Sequence, residues 1–428
     1  MLQSKLRRLT IHEQTNHSDE SVKINPNYVD ASTQPSAYKT YPQFYRRLPL
    51  AAGNPTHDLI KATSAITLER QYRHYTAQLR VIPSAGGLYP TELYVQIRGV
   101  DGIINGLYHY EVAHSQLTLI YGLIDDGLEA YVCPGYTVEG LIFLVSCVYF
   151  RSSWKYEDRS LRYAFLDGGH HLGAIATAAY AFEHPLELVF DFDKAQLNQA
   201  MGFANQEWTL GAAIAGHTIP RPRREFRLPM PFVCGTDYFI PNPFMEQGYQ
   251  ATLAPASPRQ PLRSPTWPYD RSKFLDAIYQ RRSARCFRKA AISLAEYRAI
   301  LSALTQPIAT CSQEAISIYA LVHRVTGQAP GLYRDGELLQ GGDFSAKVAY
   351  LCVNQRIAGD GAVTFFLAAH PQNYQTAMQM AAVLGQQLYL ASTYYDIACT
   401  GIGAYYDEET QAFLGTEKDI LYALAIGR

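Results

Sequence analysis

Residues 161–182 read LRYAFLDGGHHLGAIATAAYAF, and residues 376–395 read TAMQMAAVLGQQLYLASTYY. Both space small and apolar residues at helical intervals, which predicts two long, buried helices. What surrounds each is alike. Upstream of the first, GLIFLVSCVYF (140–150) is a short apolar run expected to form a central strand, and AKVAYLCVNQ (346–355) is read in the same way before the second. Further upstream, Gly106-Leu107-Tyr108 with Leu117, Thr118 and Leu119 is echoed by Gly331-Leu332-Tyr333 with Leu338 and Leu339, each a hairpin pattern. Each block closes on a final strand, TLGAAIAGH (209–217) and YALAIGR (422–428), preceded by Met201-Gly202 and Leu414-Gly415. An ordered self-similarity of this kind predicts two α+β domains, each a central mixed or antiparallel sheet with a long helix.

The chain has 428 residues, long enough for two cores. Residues 1–50 are polar and carry Tyr and Pro, so they are expected to be an arm wrapping a neighbouring surface. Domain 1 is then 51–219 and domain 2 is 271–428. Between them, in 220–270, prolines recur at 220, 222, 229, 231, 241, 243, 255, 258, 261, 265 and 268, which marks a connector. A formal net charge of -1 gives no electrostatic reason to expect nucleic acid. Seven cysteines without a CxxC pair argue against a disulfide framework and a zinc knuckle, and fit a reducing cytoplasm. No apolar stretch reads as a signal peptide or membrane span.

Four pieces carry a more specific message. They are Pro83-Ser84-Ala85-Gly86-Gly87-Leu88-Tyr89-Pro90 with Glu92-Leu93-Tyr94, Trp154-Lys155-Tyr156, Arg281-Arg282-Ser283-Ala284-Arg285, and Gly401-Ile402-Gly403-Ala404. With the order of elements they resemble the nitroreductase superfamily, and more narrowly the SagB/McbC-type dehydrogenases that oxidise azoline rings in peptides. The arm sequence His12-Glu13-Gln14-Thr15-Asn16-His17-Ser18 also resembles the start of stand-alone members.

The resemblance implies FMN. Members of the superfamily are usually homodimers whose flavin takes phosphate ligands from one subunit and ring contacts from the other, so two fused copies imply an intramolecular pseudo-dimer. The copies differ in what they keep. Domain 2 has the phosphate half: two guanidinium forks and a hydroxyl in RRSAR suit a dianionic phosphate, and Arg281, Ser283 and Arg285 alternate as on an extended segment. A short Arg run is more often a solvated turn, and domain 1 has no RRSxR near Asp58 to Arg70. Domain 1 has the ring half, PSAGGLYP, whose small residues let backbone approach a flat ligand. The corresponding stretch of domain 2, around TQPIATCSQEAISIYALV, lacks the double glycine. One competent site per chain follows, made by Pro83 to Leu88 with Arg281, Arg282, Ser283, Arg285 and Gly401 to Ala404. Arg428, just after the last strand, is an added candidate for the phosphate.

Catalysis is assigned, on the resemblance, to Lys155 and Tyr156, which have no equivalent in domain 2 at RIAGDGAVTFF. Either acts as a base near neutrality only if its pKa is lowered, and Arg151, Arg159 and the flavin are the candidate causes. Which of the two is the base stays open. Asp167-Gly168-Gly169-His170-His171 invites a metal reading, but adjacent histidines without a third spaced ligand point instead to packing at the entry of a helix, and no metal is expected. His109 is read as a hairpin residue. The 32 tyrosines suit either an amphipathic cleft or interface packing.

The expected activity is FMN-dependent removal of a hydride and a proton from an azoline-like, heterocyclic or peptide-like substrate, with dioxygen reoxidising the flavin. A nitroreductase or flavin reductase driven by NAD(P)H is the alternative enzyme, and a flavin-binding protein without turnover is the alternative from another class.

Overall fold

The computed structural model describes residues 10–25, 29–71, 76–254 and 264–428. The two long helices are present as Ser160–Ala181 and Tyr374–Tyr394, and they pack against each other at the centre of the molecule. Glycine permits the approach. A Cβ at Gly169 would come within 2.7 Å of Ala382 Cβ and 2.8 Å of the Gln379 carbonyl carbon, and one at Gly173 within 2.8 Å of Gln386 Cβ. Nearly every residue of both helices is buried, which explains why they read as apolar on all sides.

A sheet flanks each helix. The first runs Arg47–Pro49, Gln116–Gly122, Gly106–Glu111, Thr91–Arg98, Thr137–Cys147, Trp208–Ile219, Glu187–Val189 in spatial order, with antiparallel pairing throughout. The second runs Glu337–Gly341, Gly331–Arg334, Ser317–Val322, Val363–Ala369, Asp419–Gly427, Ala398–Ile402, also antiparallel. Setting aside Arg47–Pro49, which the arm adds to one edge, both sheets take their six strands in the same order along the chain. The hairpins at Gly106 and Gly331 and the closing strands occupy matching places.

One expected strand is a helix. AKVAYLCVNQ supplies all but the first residue of helix Ser345–Leu351, in which buried Val348 and Leu351, with the C-cap Cys352, fall at helical spacing and form one face. The central strand of the second sheet is Val363–Ala369 instead, VTFFLAA, richer in β-branched and aromatic residues and buried along its length. RIAGDGAVTFF therefore lies before and within that strand, not after it. The place that corresponds to Lys155-Tyr156 is His370 to Asn373, four residues that lead straight into the second long helix, which Asn373 caps through Thr376 N. The short helix Phe150–Tyr156 exists only beside the first sheet.

The proline-bearing segment is less open than its composition suggests. Pro243 starts a helix, Pro243–Ala251, because a first-turn proline forfeits no intrahelical bond. That helix buries Met245 and Tyr249, and Tyr249 stacks on Trp208 at 4.6 Å. Pro255, Pro258 and Pro261 lie outside the described residues, as do residues 1–9 of the arm. Where the arm is described it is held at Lys39, which makes a buried ion pair with Glu207 at 2.7 Å. Among the described residues no helix is long and apolar enough to cross a membrane.

The helix contact gives a direct test. Gly169→Ala is expected to cost about 1–3 kcal/mol in urea unfolding, since its methyl meets backbone that cannot yield, whereas Gly122→Ala, with no atom within 4 Å of the added carbon, stays near wild type.

Candidate functional site

One cavity of about 250 Å³ gathers residues from both halves of the chain. From the first half come Pro83 to Gly87 and Tyr156; from the second come Ser283, Arg285 and Gly401 to Ala404. The loop enters as a 3-10 turn, Ala85–Gly87, in which Gly86 and Gly87 take φ of 63° and 68°, a region open to glycine without strain. Ser84 Oγ accepts from Tyr89 N at 2.9 Å and donates to Asp167 Oδ2 at 2.7 Å, while Ala85 N donates to Asp167 Oδ1 at 3.2 Å. Leu88 is buried and does not line the cavity.

Lys155 and Tyr156 end the short helix and both reach the same glycine. A Cβ built on Gly86 would stand 2.6 Å from Tyr156 Oη and 3.4 Å from Lys155 Nζ, so only glycine fits beneath them. Burial raises the Tyr156 phenol above its ordinary pKa, with Tyr163 and Asp167 adding to the rise, so the phenol is a neutral hydrogen-bond donor near neutrality. Lys155 itself is not among the residues that line the cavity.

The arginines part company. Arg281 is the C-cap of helix Arg271–Gln280, so the alternation expected of an extended segment starts only after it. Its buried guanidinium donates to the carbonyls of Val81 (2.6 Å) and Arg80 (3.0 Å) and lies 5.3 Å from the Tyr389 ring. It thereby ties the second half to the chain just before Pro83. Arg282 is spent on the carbonyls of Tyr279, Arg281 and Thr67. Ser283 and Arg285 do face the cavity, Ser283 Oγ lying 2.9 Å from Tyr389 Oη. Arg285 is exposed at the rim, and among the described residues no carboxylate pairs with it. Arg428 points elsewhere, into an ion pair with Glu296 at 2.5 Å.

The reading of the first long helix also changes. Asp167 and His170 are not at its entry but inside it, and with Tyr163 they project into the cavity at spacings of four and three residues. A lone carboxylate within an apolar helix was the available signal. Burial raises the Asp167 carboxyl to about 7, and the bonds from Ser84 and Ala85 offset only part of that. Burial lowers His170 to about 3, leaving a neutral ring that bonds Tyr422 Oη at 2.8 Å and Gln386 Oε1 at 3.2 Å. Tyr389 and Tyr422, which sequence reasoning also missed, line the same wall, and Tyr389 Oη accepts from Gly401 N at 2.5 Å. His109 is a buried strand residue bonded to Glu92 at 2.8 Å. Among the described residues no three His, Cys, Asp or Glu side chains gather as for a metal ion.

At the corresponding place on the other side of the molecule the two halves bond each other directly. Leu188 N donates to Ala309 O at 2.6 Å, and Asp191 takes Ser312 Oγ at 2.7 Å and Thr376 Oγ1 at 2.8 Å. The stretch that lacks the double glycine is thus bound directly to the first half.

Beside the cavity, Asp407 takes Arg162 Nη1 at 2.6 Å, Arg159 Nη1 at 2.7 Å and the arm's His17 N at 2.8 Å. Arg159 Nη2 in turn donates to Gly403 O at 3.1 Å. Burial alone would raise the Asp407 carboxyl, but Arg159 and Arg162 outweigh it and hold it well below the usual range. Asp407→Asn is expected to cost about 3–5 kcal/mol near neutrality, because two buried guanidinium groups lose their counter-charge. The depressed carboxyl stabilises the fold above the unfolded-state pKa and progressively less as pH falls through the acid range, so urea melts should bring wild type and variant together on acidification.

Residues 278–428 match the model of the nitroreductase family. Over 129 residues the chain is 29% identical to a protein of Methanocaldococcus jannaschii described as a "putative nitroreductase"; the match takes in 29% of this chain and 61% of that relative. A crystal structure described as a "putative nitroreductase" from Anabaena variabilis superposes with a TM-score of 0.81 at 22% identity, covering 98% of each chain. The described residues therefore share the fold of the Anabaena protein, and the family match at residues 278–428 supports the nitroreductase superfamily.

Proposed function

We propose that the chain is an FMN-dependent oxidoreductase with one composite site, in which Ser84 to Gly87 of the first half face the flavin ring while Ser283 and Arg285 of the second hold the phosphate. On this reading the two sheets and their long helices are an intramolecular pseudo-dimer from a tandem duplication. The observation that carries it is the convergence of both sequence motifs on one cavity. The residues suit FMN. The Arg285 guanidinium, without a carboxylate partner among the described residues, and the Ser283 hydroxyl stand at one end, and three glycines, at 86, 401 and 403, lie where any side chain would strike Tyr156, Tyr422 or Tyr163.

When bound, FMN supplies a two-electron acceptor or donor. The protein's share is binding, orientation and proton handling. Tyr156 offers a donor above Gly86, Lys155 a cation beside it, and the Tyr163, Tyr389 and Tyr422 rings shape the walls. The proposed substrate is an azoline-like or other heterocyclic, peptide-like compound that yields a hydride and a proton. The nitroreductase relatives favour a second reading, reduction of a nitroaromatic by a nicotinamide.

Fluorescence titration with FMN tests the site. Wild type should bind, and Ser283→Ala with Arg285→Ala should weaken binding by roughly 100-fold, the worth of two bonds to a charged group. Arg428→Ala should leave binding unchanged. Equal affinity of the double variant and wild type would remove the phosphate assignment. Steady nitroaromatic turnover with a reduced nicotinamide would favour the second reading of the chemistry over the first.

A further inference from the structure

Among the described residues Asp167 is the one carboxyl group on the cavity wall, and neither flavin binding nor the Tyr156 and Lys155 contacts use it. It stands on the eighth position of a buried helix, where a carboxylate is costly and is retained only with compensation. Among the described residues that compensation comes from the ring-facing loop, through Ser84 Oγ and Ala85 N. Among the described residues no cation forms an ion pair with it. The other groups that face it are weak acids or neutral: Tyr163 and His170 on its own helix, Cys147 on the neighbouring strand, Tyr156 from the short helix, and Tyr422 from the second half. Lys155 lies across Gly86 and Arg285 on the cavity rim.

We propose that Asp167 takes the substrate proton as the hydride departs, acting beneath the same loop that Tyr156 and Lys155 cover from above. The proposal rests on the FMN reading and deepens it. A C–H bond of the substrate breaks with its electron pair passing to the flavin. The C–H bond on the adjacent ring carbon breaks with its proton passing to an Asp167 oxygen, its electron pair forms a ring carbon–carbon double bond, and the carboxylic acid later returns the proton to solvent. Tyr156 is unsuited to the task because burial keeps its phenol protonated. A carboxyl poised at about 7 suits both directions of transfer near neutrality. The two bonds from the loop also make the charge on Asp167 felt at the ring-facing backbone, so reduction of a bound flavin and protonation of Asp167 are linked.

The midpoint potential of bound FMN, followed from pH 5 to 9, reads that linkage. Wild type should show a change of slope near pH 7. Asp167→Asn should lose it, and Ser84→Ala, which removes a bond that favours the carboxylate, should move it to higher pH. The same bend in all three proteins would overturn the proposal while leaving the FMN site intact. No FMN binding by wild type would overturn the cofactor reading and this role with it. Should Asp167→Asn fail to retain flavin, the Ser84→Ala shift decides the matter together with unfolding of the flavin-free protein. A carboxyl raised on folding lowers stability increasingly as pH climbs from about 4 to about 7, so the variant's stability relative to wild type should rise over that interval and level off above it. A difference independent of pH would overturn the proposal.

Discussion

The close contact between the two long helices is the constraint on which the remaining structure depends. Gly169 and Gly173 bring Ser160–Ala181 against Tyr374–Tyr394 closely enough that Gln379, Ala382 and Gln386 pack directly on helix backbone. That distance sets how far the loop at Pro83, carried by the first sheet, stands from Ser283 and Gly401, carried beside the second. Gly385 serves the same end, since a side chain there would press on Tyr422 and His170, which bond each other across the two halves. Close-packed interiors transmit such displacements because they contain little free volume.

Two charged groups fasten the halves around that contact. Arg281 reaches across to the carbonyls of Arg80 and Val81, and Asp407 binds Arg159 and Arg162 from the first long helix and its approach. The arm lies over the second of these through His17, so the segment before the first sheet also holds the residues around Gly403. Buried ions of this kind are costly to separate, which makes them better at fixing one arrangement than at adding net stability.

Much of this was legible in the sequence because it is periodic. The long helices, the hairpins at Gly106 and Gly331 and the closing strands appear where the patterns place them. Ser345–Leu351 was misread because a short apolar run suits either a strand or one helix face, and the neighbouring VTFFLAA was the better strand. The site motifs do meet, but sequence order does not reveal where a long side chain ends. Arg281 is held back by the helix that precedes it, Arg282 and Arg428 find other partners, and Asp167 hides within a helix whose apolar neighbours made its motif read as packing.

The central claim is that a single ligand site is built jointly by the two halves, while at its counterpart Leu188 and Asp191 bond the second half directly. A crystal structure of the chain grown with FMN tests this most directly. The account predicts one FMN per chain, its phosphate against Ser283 and Arg285 and its ring along Ser84 to Gly87. Two flavins per chain, or one whose phosphate and ring both rest on the same half, would contradict it.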